Sequence, residues 1–272
     1  MMTLGEIYKK AVEMGIKADP RGEIGVKKVL ARRKTEYEEL SKTKKAEFDL
    51  EDLKNPYSDS RILIGELNNK VDKLMAGIDI SSGEVVLADR LNQKGAGIDL
   101  LIAHHPVGGP LAALHEVMEL QADLMAKYGV PINIAEGLMN ERMTEVQRIF
   151  SPRNHNQAVD AARLLGLSVM CTHTITDNLV FNFLETLILK KSPETVGDVM
   201  KILKEISEYK EAMKGKAGPL IFAGKVGNRA GRVAAFDITG GTEPPRGVYE
   251  KLAMAGVGTI IGMHAAESHR KE

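Results

Sequence analysis

Two adjacent imidazoles, His104-His105, stand at the end of an apolar run and directly before Pro106, in the string LLIAHHP. Imidazole is the commonest nitrogen ligand for Zn, Mn or Fe. Neighbouring side chains of a strand point to opposite faces, so both rings reach one pocket only where the strand ends. Pro106 supplies such an end, because it cannot extend a central strand and biases His105 toward extended backbone. The competing reading is one core histidine and one loop histidine. A second chemical string, His173-Thr-Ile-Thr-Asp177, follows the run 168–171. Asp177 stands before a helix expected over 178–189, so it either caps that helix or serves as a carboxylate ligand shared between two ions. In the second case His173 orients the ligands from behind. A third string, Gly240-Gly241-Thr242, follows Asp237. It is either a plain strand-to-helix turn or a nest of N–H groups for an anion. Cys171 reads as a small buried hydrophobe, and His115, His155 and His269 read as non-catalytic.

These strings need strands that end together. Apolar runs at 74–80, 100–103, 168–171, 233–236 and 257–261 alternate with helix-length segments at 110–127, 155–165, 177–190, 194–215 and 246–255. That rhythm predicts a largely parallel sheet covered by helices. In open α/β sheets ligands bind beyond the carboxyl ends of the strands, so the His- and Asp-bearing ends can converge. Ahead of this part, residues 3–45 read as helical, broken at Asp19-Pro20-Arg21-Gly22. The charged stretch 31–47 reads as a solvated helix. The segment Asn55-Pro56-Tyr57-Ser58-Asp59 reads as a separating loop.

Composition narrows the function. The 272 residues hold 37 Lys plus Arg and 37 Asp plus Glu, and aromatics are 4%. A chain with no basic excess and few aromatic residues is a poor candidate for general nucleic-acid binding. One cysteine excludes an intrachain disulfide and suits a reducing cytosol. No apolar run is long enough for a membrane span, and the N-terminus, with Lys9, Lys10 and Glu13, lacks a signal-peptide run. The expected localisation is cytoplasmic.

AHHP, followed about 70 residues later by HTxxD and then by a GGT turn before a helix, resembles the Nif-three-like family, also known as the GTP cyclohydrolase I type 2 homologues. The resemblance covers residues 70–272 and includes KGAGIDLLIAHHP and MAGVGTIIGMH. It implies an α/β, two-domain fold with mixed and parallel sheets covered by helices, here with an N-terminal helical extension. The corresponding boundaries are 1–60 for the extension, 61–192 for the first α/β domain and 193–272 for the second. It also implies a dinuclear metal site and a hexamer built as a trimer of dimers. By motif, His104 and His105 match the paired ligands and Asp177 the bridging aspartate. The family's last motif, a histidine followed four residues later by an acid, has no clean counterpart. Either His264 and Glu267 complete the site, or the motif lies beyond Glu272 and the chain lacks its C-terminal portion; the second is expected.

The resulting expectation is a metal-dependent hydrolase with two divalent ions (Zn, Mn or Fe), acting on a phosphorylated or nucleotide-like substrate through a metal-activated water. Gly240, Gly241 and Thr242 are the candidate anion holders. The alternative is a metal-stabilised regulatory or interaction scaffold without turnover.

Overall fold

The computed structural model describes residues 1–263, 265 and 267–271. The chain opens with β1 (Met2–Thr3), α1 (Leu4–Ala18), α2 (Gly22–Glu39) and α3 (Lys42–Glu47). A loop leads to β2 (Ile62–Ile64), β3 (Lys70–Val71), β4 (Leu74–Gly77), α4 (Ser82–Asn92) and β5 (Leu100–Ala103). Then come α5 (Gly109–Ala112), α6 (Glu119–Lys127), α7 (Ile132–Phe150), α8 (Gln157–Leu165), β6 (Ser168–Cys171) and α9 (His173–Lys191). The last part holds α10 (Val196–Lys204), α11 (Ser207–Lys214), β7 (Arg232–Ala235), α12 (Gly247–Met254), β8 (Val257–Ile261) and α13 (Glu267–Arg270).

The central sheet has the order β2-β6-β5-β4. β4, β5 and β6 run parallel, and β2 joins the edge antiparallel to β6. β7 and β8 form a separate parallel pair, and β1 pairs with β3. The strand period of two sorts the central sheet's side chains. Leu100 and Met170 pack with Leu4, Tyr8 and Val12 of α1. Leu101, Ala103, Val169 and Cys171 pack on the other face with Val85 and Ala88 of α4 and Ala158 and Ala162 of α8. A further core joins α6, α7, α9 and α12 to the β7–β8 pair through Met139, Phe181, Leu184, Phe236 and Leu252. Among the described residues no helix is long and apolar enough to cross a membrane.

The register positions the chemistry. Gly77 pairs with Ala103, and Ala103 pairs with Cys171. Three parallel strands therefore stop at one level, and whatever follows each of them emerges at one edge.

Several elements differ from the sequence expectation. The helix expected over 110–127 is broken by a 3₁₀ turn at Glu116–Met118. The one expected over 194–215 breaks between Lys204 and Ser207. α7 lies where Gly129-Val130-Pro131 reads only as a stop; Pro131 in fact stands at the N-terminus of α7, where its missing N–H costs nothing. The charged stretch 31–47 ends one helix and starts another at Ser41, whose side chain accepts from Lys44 N. The strand β2 has no counterpart in the sequence reading.

Candidate metal centre

His104 and His105 extend the end of β5. Their backbone N–H groups donate to Gly77 O at 2.9 Å and Ile78 O at 2.8 Å, so the chain stays beside β4 for two more residues. On the other side of β5, Thr172 N donates to Ala103 O at 3.0 Å, and α9 begins at once with His173. The helix starts five residues earlier than the sequence suggests, so Asp177 does not cap it. Instead His173 and Asp177 are four apart on one helix face.

Three imidazoles meet at this edge. The His104 ring lies 5.0 Å from that of His105 and 4.9 Å from that of His173, and His105 is 5.7 Å from His173. One ring nitrogen of each lies within 4.8 Å of the other two. Asp177 joins them: its Oδ1 is 3.6 Å from His104 Nε2 and its Oδ2 is 3.7 Å from His173 Nε2. His173 and Asp177 are buried, while half of the His105 side chain is exposed. The cluster is thus walled on the α9 side and open beside His105.

Each ring is also held from behind through Nδ1. His104 Nδ1 lies 2.9 Å from Thr176 Oγ1, His105 Nδ1 2.8 Å from Asp79 Oδ1, and His173 Nδ1 2.8 Å from Asp59 Oδ2. An Nδ1–H given to such an acceptor leaves Nε2 as the free lone pair, which is how metal-ligating histidines are usually oriented. The sequence reading expects His173 itself in the supporting position. In the structure Asp59 stands behind His173, and the His173 ring faces His104 and His105.

The electrostatics suit cation binding. Burial pushes the His104 pKa down to about 4, helped by its neighbours His173 and His105, so its ring is neutral at neutral pH. Burial also works against charge on His173, but the hydrogen bond and charge of Asp59, with Asp177, outweigh it and raise its pKa. For Asp59, burial acts upward, yet the bond to His173 and the hydroxyls of Thr174 and Ser60 hold it below the ordinary carboxylate range. Three imidazoles and a carboxylate form a donor set of the kind that takes Zn, Fe or Mn. The residues present fit a divalent cation.

Sequence reasoning missed Asp59 and Asp79. Asp59 lies at the end of a segment that reads only as a loop, and Asp79 follows β4 with no local signal. Gly240 and Gly241 have φ of +87° and +91°. A Cβ on Gly240 would stand 2.8 Å from Gln121 Cγ, so close packing on α6 accounts for that glycine. Gln121 Nε2 donates to the carbonyls of Gly240 and Thr242 at 2.9 and 2.7 Å. Glu267 is exposed, and its carboxylate pairs with Arg270 at 2.6 Å. His264 lies outside the described residues. His155 Nε2 is 2.7 Å from Phe150 O, His115 Nδ1 is 3.3 Å from Ala112 O, and His269 pairs with Glu243. Cys171 is fully buried, and burial raises its thiol pKa to about 12. A cavity of about 670 Å³ is lined by Arg33, Asp52, Ser58, Arg61, His115 and Glu116 among others, and by none of the three clustered histidines.

A solved structure of similar shape is a NIF3 superfamily protein from Sphaerobacter thermophilus, with a TM-score of 0.67 and 24% identity over 79% of this chain and 76% of that one. This chain has the Nif-three-like fold. No protein-family model matches the sequence, and no curated protein matches it either. Within the Nif-three-like fold, the level ends of β4, β5 and β6 place the histidine cluster at the carboxyl edge of the sheet, where open α/β sheets place their ligands.

Proposed function

We propose that this chain is a metal-dependent hydrolase that binds divalent cations at His104, His105, His173 and Asp177. The observation that carries the reading is the convergence of three imidazole nitrogens within 4.8 Å, with a buried carboxylate beside two of them. A bound divalent ion supplies a water of lowered pKa and positive charge where an oxyanion develops. The chain's own groups set the stage for that chemistry. His104 is neutral without having to lose a proton, Asp177 offers two oxygens toward different histidines, and the walls of α9 exclude water from one side. The exposed flank beside His105 and Asp79 is the approach for substrate.

By the resemblance, the complement would be two ions of Zn, Mn or Fe, Asp177 would be the carboxylate that holds both, and the assembly would be a homohexamer. The substrate is a small phosphorylated or nucleotide-like anion, with Gly240, Gly241 and Thr242 as its candidate holders. The 1–60, 61–192 and 193–272 boundaries belong to the same proposal. The test is elemental analysis of the protein purified without added metal, followed by a panel of phosphoesters and nucleotides with Mn²⁺ or Zn²⁺. Turnover lost in His105→Ala supports the hydrolase. Metal retained without turnover on any substrate favours a metal-stabilised scaffold, and absence of metal from every preparation overturns the reading.

A further inference from the structure

The N-terminal segment reaches both ends of the His173–Asp177 turn through buried polar groups. Asp59, before β2, is fully buried. It accepts from His173 Nδ1 at 2.8 Å, from Thr174 Oγ1 at 2.6 Å, from Thr174 N at 3.4 Å and from Ser60 Oγ at 3.1 Å. The loop that carries it is tied by hydrogen bonds to its own backbone and to α1. Asn55 takes Tyr57 N on its Oδ1 and donates from Nδ2 to Ser60 O and to the Tyr8 hydroxyl. Arg61 donates to Tyr57 O and Ser60 O and pairs with Asp49 and Asp52.

At the other end of the turn, Asn178 follows Asp177 and is fully buried. It accepts from Thr239 Oγ1 at 2.6 Å and donates toward Gly15 O at 3.3 Å and Asp19 Oδ2 at 3.4 Å. Asp19 also takes Tyr57 OH at 2.9 Å and a two-pronged bond from Arg21. Both carboxylates belong to the helical segment and its loop, outside the parallel sheet. The two anchors meet at Tyr57, which bonds Asp19 and lies two residues before Asp59.

A buried carboxylate is costly, and for bare stability apolar packing does as well or better. Two of them aimed at the two ends of one turn indicate that orientation is what they secure. We propose that Asp59 and Asp19 are positioning residues for the histidine cluster. Asp59 fixes the ring plane and tautomer of His173, and Asp19 holds the start of α9 through Asn178. The helical segment is thereby a working part of the centre. This inference rests on the metal reading given above.

The test uses the full chain stripped of metal and titrated with Co²⁺, reading affinity by chelator competition and the visible spectrum of the bound ion. Thermal unfolding in chelator reports folding separately. The variants are Asp59→Asn, Asp19→Asn and, as a control, Asp160→Asn, whose partner Arg163 is on the surface. Asp59→Asn is expected to weaken binding by about 10–100-fold, the range seen for supporting groups behind metal ligands, and to alter the spectrum. Asp19→Asn is expected to weaken it less, and the control to match wild type. A merely structural role would lower the unfolding temperature and leave affinity and spectrum of the folded variants unchanged; that result overturns the proposal alone. If wild type binds no Co²⁺, the metal reading falls and takes this proposal with it. If Asp59→Asn does not fold, Thr174→Val, which strips one hydroxyl from the same carboxylate, carries the test with the same two readouts.

Discussion

Replacing His104 by Gln should change the pH dependence of stability of the metal-free protein in a calculable way. Burial and the neighbouring histidines lower the His104 pKa from 6.5 to about 4 in the folded chain. The unfolded chain therefore takes up this proton first as pH falls. Stability attributable to the neutral ring is fully present above about pH 6.5 and is lost progressively down to about pH 4. The whole interval is worth about 3 kcal/mol, at about 1.4 kcal/mol per decade of proton concentration. Three quarters of the His104 side chain is shielded from solvent, so screening takes little from this figure. Gln is neutral throughout and has no such slope. Wild type should thus lose about 2 kcal/mol relative to His104→Gln between neutral pH and about pH 5. Urea unfolding of both proteins in chelator, at a series of pH values, measures the difference directly. A gap between them that stays constant to within about 0.5 kcal/mol over that range refutes the assigned protonation.

His173→Ala should weaken metal binding more than His105→Ala, because His173 is buried and braced by a buried carboxylate whereas His105 and Asp79 are exposed; chelator competition ranks the two. Gly240→Ala should destabilise by about 1–3 kcal/mol, since its φ is positive and the new methyl meets Gln121, and denaturant titration checks it. Phe181→Ala, deep in the core that joins α9 to the β7–β8 pair, should cost about 3–5 kcal/mol by the same assay. Light scattering should return a hexamer; a monomeric mass would refute the assembly proposed from the resemblance.

The chemistry-bearing ends were legible in the residues because their signals are local. An apolar run closing on His104-His105-Pro106 marks a strand end whatever surrounds it, and β5 does stop at Ala103. The runs before Thr172 and Asp237 mark strand ends in the same way, and the alternation of runs with helices indicates the α/β class. What decided the centre is non-local. That Gly77, Ala103 and Cys171 lie level is a register between strands far apart in sequence, and no periodicity within one strand encodes it. The start of α9 at His173 rather than after Asp177 is set by where β6 runs out beside β5, and it alone puts the histidine and the aspartate on one face. Asp59 was invisible for the same reason. A loop residue has no pattern of its own, and its partner stands 114 positions away. The glycines at 240 and 241 read locally as a turn or an anion nest, and the close approach of Gln121 on α6 to Gly240 is a further contact that composition does not encode. Local sequence can state which side chains are able to act. Which of them meet is decided by packing between segments, because the contacts that order them are made only once the chain has folded.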